Sequence, residues 1–309
     1  MSRLPLLCAL AALVLAPTAL AAGPSPGVSE DATLGVQLPE GDVSYATSQE
    51  AAGTRLLAVR QSDRRVLRQV VLGAGWGIPL VAFDGTTGGL SGDGRTLVLG
   101  DGSQYNGPLR EKSRFLVVDA KTFKTLRQVR LRGDFGYDAL SPDGKTLYLI
   151  EHVSTADVFR YVVRAFDLVH GRLLPGRIAD KTQRTWVMQG FPLRRATSPD
   201  GRMEYTFYAN PGGYPFIHAL DTVRGTARCI GVPWRGSQDG LSKLSMTLAG
   251  DKLQLGWPGG RTFISVDTTT YRLSRPATAG GDFPWWAVAV GGSILLAAVG
   301  GIVRHGKTG

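Results

Sequence analysis

The sequence predicts an all-β fold made of small antiparallel sheets repeated along the chain, and three observations predict it. A proline- or glycine-bearing turn, fullest as Ser141-Pro142-Asp143-Gly144, returns in looser form at Leu38–Gly41, Ser91–Gly94, Ser198–Gly201 and Ala249–Lys252. The second positions of these turns (39, 92, 142, 199, 250) are separated by 53, 50, 57 and 51 residues. Each turn is followed by apolar, β-prone runs, the second of which ends in an acidic residue in four of the five units.

In the fullest turn, proline presets φ near −65°, Asp143 can accept from amides ahead of it, and Gly144 tolerates positive φ. The run Thr146–Ile150 that follows has the apolar, β-branched and aromatic character of a strand buried on both faces. The later runs are Phe115–Asp119, Val163–Asp167, Ile217–Asp221 and Ile264–Asp267, with Leu56–Arg60 in the first unit, where Arg60 stands in place of the aspartate. Asp119, Asp167, Asp221 and Asp267 are expected to cap turns by accepting from backbone amides. Residues 56–72 align without gaps on 115–131 and share Leu-Arg-Gln-Val at 67–70 and 126–129.

Five units of about fifty residues and four short strands each match β-propeller blades, because such a sheet cannot bury both faces until it stacks against its neighbours. The expected body is therefore a propeller of five four-stranded blades over residues 34–277, with a sixth blade left open. Each unit is expected to supply its own four strands, so no shared blade would close the ring. The Ser-Pro-Asp-Gly turn before a strand and the later strand ending in Val-Asp resemble the YVTN, NHL and WD40-like repeats of bacterial propellers. That resemblance implies the fold. It also implies an alternative function, since some such propellers are lactonases or other hydrolases with acidic residues and a metal at the axis.

The ends read differently. Residues 1–22, with Arg3, an apolar stretch and Ala19-Leu20-Ala21, have the pattern of a secretory signal peptide. Its removal would leave Cys229 as the one remaining cysteine, a small hydrophobe without a disulfide partner. Residues 23–33 read as a flexible lead-in and 278–282 as a short tether. Residues 283–303 carry no charge, hold the aromatic pair Trp285-Trp286 at their start and precede Arg304 and Lys307. They are long enough to cross a hydrocarbon core of about 30 Å as one transmembrane helix. The expected protein is thus a single-pass protein of a bacterial cell membrane, its propeller extracytoplasmic and its tail, 304–309, cytoplasmic. Ala289, Ser293, Ala297 and Gly301 fall on one face of that helix, a stripe compatible with homodimerisation.

The net charge of +10 comes from 35 Lys and Arg against 25 Asp and Glu. Arginine is scattered, not clustered, so nucleic acid is not expected as a partner. The chain lacks a nucleophile elbow, a phosphate-binding loop, a dinucleotide fingerprint and a His-Glu-x-x-His pair, so no cofactor, metal or catalytic residue is assigned. In a propeller the Ser-Pro-Asp-Gly turns share one face with the third-to-fourth-strand turns. The second-to-third-strand and blade-to-blade loops share the other. That second face is expected to carry Trp76, Tyr105, Tyr137, Trp186, Tyr214 and Trp234, residues suited to a protein, peptide or glycan partner. Asp101, Glu151 and His152 follow second strands and are expected near the axis, the minimum for acid–base chemistry. The favoured reading is a non-catalytic binding module using the aromatic face.

Overall fold

The computed structural model describes residues 26–29, 32–73, 75–102, 109–183 and 187–275. The expected signal peptide, tether, span (with Ala289, Ser293, Ala297 and Gly301) and tail lie outside them. No helix among the described residues is long and apolar enough to cross a membrane.

After a short strand β1 (Val28–Ser29), the described residues form five antiparallel sheets in succession. Blade 1 is β2 (Val36–Gln37), β3 (Val43–Glu50), β4 (Gly53–Arg60) and β5 (Val66–Leu72). Blade 2 is β6 (Trp76–Pro79), β7 (Thr96–Asp101), β8 (Lys112–Asp119) and β9 (Thr125–Arg132). Blade 3 is β10 (Phe135–Leu140), β11 (Thr146–His152), β12 (Arg160–Asp167) and β13 (Arg172–Leu173), with β14 (Met188–Gln189) pairing on the far end of β12. Blade 4 is β15 (Phe191–Thr197), β16 (Met203–Ala209), β17 (Phe216–Asp221) and β18 (Thr226–Gly231). After a one-turn helix α1 (Gln238–Leu241), blade 5 is β19 (Ser245–Ala249), β20 (Lys252–Gly256), β21 (Thr262–Asp267) and β22 (Leu273–Ser274). This is the architecture of a β-propeller, with five blades in the number counted from the turns. Val28–Ser29, expected within a flexible lead-in, instead pairs with Ile78 and Pro79 on the free edge of β6. Val28 fits there because Gly77 and Gly100 leave room. A Cβ on either would come within 2.7 Å of its side chain.

The turns of blades 2, 3 and 4 do what their residues predict, whereas Gly41 in blade 1 does not take a positive φ. Each of the five joins the first strand of a blade to the second. In blades 2, 3 and 4 the serine hydroxyl donates to the turn aspartate (2.6, 2.7 and 2.5 Å). The same oxygen accepts the amide that opens the next strand, at 2.9, 2.9 and 2.8 Å. The turn glycines Gly94, Gly144 and Gly201 sit at φ of 66°, 68° and 68°, in the left-handed region. In blade 5, whose turn ends in Lys252, the positive φ moves forward to Gly250.

The aspartates ending the third strands cap the next turn, as expected. Asp167 accepts from the amides of Val169 and His170, Asp221 from Val223 and Arg224, and Asp267 from Thr269 and Thr270. Asp119 accepts from Thr122. In blade 1, Asp63 takes over, accepting from Arg65 and pairing with Arg60. One bond per blade then ties this turn back to the start of the second strand: Gln61 N to Asp42 O, Ala120 to Arg95, Leu168 to Lys145, Thr222 to Arg202 and Thr268 to Asp251. Both turn sets therefore lie on one face of the molecule.

Packing follows from two-sided burial. Every residue of β7 and of β10 is buried. Among the described residues, four hydrophobic cores weld successive blades. Leu56, Trp76, Leu97 and Val118 join blades 1 and 2. Phe115, Phe135, Leu147 and Phe166 join 2 and 3. Tyr148, Tyr161, Tyr208 and Leu220 join 3 and 4, and Phe207, Ile217, Leu253 and Ile264 join 4 and 5. A buried aliphatic or aromatic side chain contributes about 1.5–3 kcal/mol here. No core cluster among the described residues joins blade 5 to blade 1. The strand β19 alternates buried Met246 with exposed Ser245 and Thr247, a one-sided pattern. Blades 2 and 4 instead meet directly: Phe83 N donates to Pro192 O at 3.0 Å, and Asp84 faces Arg194 at 3.6 Å.

Candidate functional site

The face opposite the turns carries an aromatic patch on blade 5. Trp234 lies in the connection from β18 to α1, where its indole N–H donates to Ser237 O (3.0 Å). Gly236 and Gly240 let the ring lie flat against the backbone, since a Cβ on either would stand 2.5 or 2.8 Å from it. The ring meets Trp257 at 6.0 Å and Phe263 edge-on at 5.4 Å. Trp257 is 36% exposed and opens the β20–β21 loop, which is closed by its own amide donating to Arg261 O (2.8 Å). Sequence reasoning left Trp257 aside; its place before Pro258-Gly259-Gly260, a turn signal between two strands, was the available clue. Tyr214, in the β16–β17 loop, is 73% exposed.

Two of the expected aromatic contacts are corrected. Trp76 opens β6 instead of a loop, is only 5% exposed and sits in the core between blades 1 and 2. The Arg114 guanidinium stacks over it at 5.1 Å. Tyr137 is buried in β10, packed in the core between blades 2 and 3, and burial drives its hydroxyl pKa far up. Strand alternation turns these two rings into a blade interface, whose stacking needs large rigid side chains. Tyr105 and Trp186 lie outside the described residues.

Asp101, Glu151 and His152 do not converge on one axial pocket; each engages a partner near its own strand. Asp101 Oδ2 takes Arg114 Nε at 2.7 Å, and Glu151 Oε2 takes Arg164 Nη1 at 2.6 Å. The side chain of His152 is buried with Nδ1 3.5 Å from Asp134 Oδ1, and Asp134 also binds Arg110 at 2.9 Å. Burial alone would raise the Asp134 carboxyl, but His152 and Arg110 bring it down to about 2. Among the described residues, no group of three or more His, Cys, Asp or Glu side chains is arranged to hold a metal.

The axis holds a different ionic cluster. Arg195 on β15 donates through Nη2 to Asp138 Oδ1 (2.6 Å) and through Nη1 to Asp138 O (3.1 Å), and Nη1 lies 3.3 Å from Glu204 Oε2. Thr197 donates to the same Glu204 oxygen at 2.6 Å. Asp138 is only 2% exposed. Its Oδ2 and Arg195 Nε have no hydrogen-bond partner among the described residues. Burial raises the Glu204 carboxyl against the opposing pull of Arg195. These residues, with Tyr137 and the turns of blades 1, 2 and 4, line a cavity of about 170 Å³. Asp138 reaches its partner because the β10–β11 register slips between Tyr137 and Ala139. An aspartate inside the apolar run Phe135–Leu140 was the sequence signal for it.

Between blades 3 and 4, His218 is buried beside Thr206, and Cys229 Sγ lies 3.8 Å from the Met188 sulfur. Burial lowers the imidazole to about 4 and raises the thiol to about 12. That environment keeps the thiol protonated and inert.

No family model matches the sequence, and no curated protein matches it. Among solved structures, the oligogalacturonate lyase in complex with manganese is 14% identical over 81% of this chain and 66% of its own, with a TM-score of 0.47. The β-propeller domain of Cps50 (Swd1) from Myceliophteria thermophila is 12% identical over 85% of this chain and 70% of its own (TM-score 0.43). TolB from Acinetobacter baumannii is 16% identical over 79% of this chain, which spans about half of TolB, 53%, at a TM-score of 0.41.

Proposed function

We propose that this chain is a membrane-anchored, extracytoplasmic β-propeller that acts as a non-catalytic binding module through the face opposite its turns. The partner is a protein, peptide or glycan at the bacterial cell surface. The observation that carries this reading is the Trp234–Trp257 pair, two rings held 6.0 Å apart with Trp257 open to solvent. Rigid aromatic area with a polar handle is what anchors such contacts. The reading moves the centre of the face from Trp76 and Tyr137 to blade 5, with Tyr214 as an outlying contact.

The test screens the full chain against glycan and peptide arrays and measures the strongest hit by calorimetry. Trp257→Ala is expected to weaken it at least about tenfold; an unchanged affinity rejects the face. Protease treatment of intact cells checks the topology. Digestion of the propeller with protection of a tag beyond 304 is the expected result. Ala289→Ile is expected to weaken any dimer in a membrane two-hybrid assay.

A second reading, a hydrolase acting at the axis, rests on one observation: Glu204 and Asp138 line the axial cavity with a carboxyl raised by burial. Lactone hydrolysis abolished by Glu204→Gln would favour it.

A further inference from the structure

Blade 3 departs from blades 1, 2 and 4 at its outer edge. The strand β13 holds two residues, as β22 of blade 5 does, where β5, β9 and β18 hold seven, eight and six. The chain leaves the sheet after Leu173, runs as a strap, and returns as β14 on the opposite end of β12. The sequence carries the same mark, since the turn interval that contains this strap, 57 residues, is the longest of the four.

The strap is built firmly. Leu174 N donates to Ala165 O (2.8 Å) and Ile178 N to Val163 O (2.9 Å). Buried Asp180 accepts from Thr182, from Cys229 N at 2.9 Å and from Arg228 at 3.2 Å, so it ties the strap to blade 4. Between the strap and the β17–β18 turn of blade 4 lies a cleft of about 690 Å³, a volume usual for small-molecule sites. Arg177, Lys181, Arg224 and Arg228 line it. Its one acid, Asp180, is already taken up by Arg228. Among the described residues, Arg177, Lys181 and Arg224 form no ion pair. Three uncompensated cations around one firm cleft ask for a compact ligand carrying several negative charges. Guanidinium and ammonium groups together suit phosphate oxygens.

We propose that this cleft binds a phosphate-bearing ligand with two or more adjoining phosphates, at a site on the opposite side of the fold from the aromatic patch. The phosphate can belong to a free small molecule or to a polymer. The test titrates the full chain, in detergent at low salt, with tripolyphosphate. Saturable binding is expected, weakened at least about tenfold by the double variant Arg177→Gln, Arg224→Gln, with an unchanged melting temperature. The exposed pair Arg68→Gln, Arg130→Gln on the outer strands of blades 1 and 2 is expected to keep the affinity within about twofold. Absence of saturable binding, or an equal loss in that control, overturns the site. Long-chain polyphosphate run in parallel supports a polymeric source if it binds tighter through the same arginines, and a free small molecule if it does not. Hexaglutamate binding where tripolyphosphate fails overturns the phosphate assignment. Trp257→Ala leaves tripolyphosphate binding unchanged, which separates this site from the aromatic face.

Discussion

Blades 2 and 3 share their first three strands and part at the fourth. The strand β9 of blade 2 runs eight residues and repeats blade 1 closely. The 59-residue offset that superposes residues 56–72 on 115–131 also carries β4 onto β8 and β5 onto β9. It even reproduces the register slip, between Ala58 and Val59 in one blade and Val117 and Val118 in the other. Blade 3 drops that strand for a strap. The difference teaches where a propeller tolerates change. The inner strand β10 is buried on both faces throughout, whereas most of the outer strand β9 is exposed. Interrupting an outer strand sacrifices little core, so an added site is cheapest at the rim.

The comparison breaks if inner-strand changes prove mild. Arg195→Ala leaves the carboxylates of Asp138 and Glu204 without their cation and is expected to cost about 3–5 kcal/mol, read by chemical denaturation of the full chain. Loss below about 1 kcal/mol would mean the axial cluster is hydrated rather than structural.

Acid comes next. His218 is held neutral to about pH 4 in the folded chain but takes a proton near 6.5 when unfolded. The unfolded chain therefore binds more protons between these values, and stability should fall as pH drops from 6.5 to 4, by up to about 1.4 kcal/mol per unit. His218→Gln should flatten that slope in melts recorded across the range. Asp134, lowered to about 2, acts further down, its contribution fading as pH falls from 3.8 towards 2.

Gly144→Ala tests the turns. Its φ of 68° and a Cβ position 2.4 Å from Thr96 Oγ1 make about 1–3 kcal/mol of destabilisation the expected result. Asp167→Ala removes one turn cap and is expected to cost about 1 kcal/mol in the same melts. Smallest of all, Leu126→Ser on β9, where the side chain is 57% exposed, should shift stability by no more than about 0.5 kcal/mol. A larger loss there would erase the contrast between inner and outer strands.

The candidate sites were less legible than the sheets. Trp76 and Trp257 are both tryptophans beside glycine-bearing turns, yet one plugs a blade junction and the other faces solvent. The Pro258-Gly259-Gly260 turn after Trp257 is the one nearby mark that separates them, and the burial of Trp76 is decided by the neighbouring blade. Asp101 and Glu151 stood out as lone acids after second strands, and each is matched by an arginine thirteen residues on, across the ladder.

The residues alone made legible five fifty-residue units, the turn that joins the first two strands of each and, in four of them, the aspartate that ends the third strand. These depend on φ preferences and amide acceptors within about four residues, which local chemistry sets. Only the tertiary structure decided that Asp138 would meet Arg195, 57 residues away, and that a strap on blade 3 would wall a cationic cleft with a turn of blade 4. Both depend on which strand face a residue presents and on which sheet then stacks against it, and that choice is made between blades, at distances along the chain where local preferences have no say.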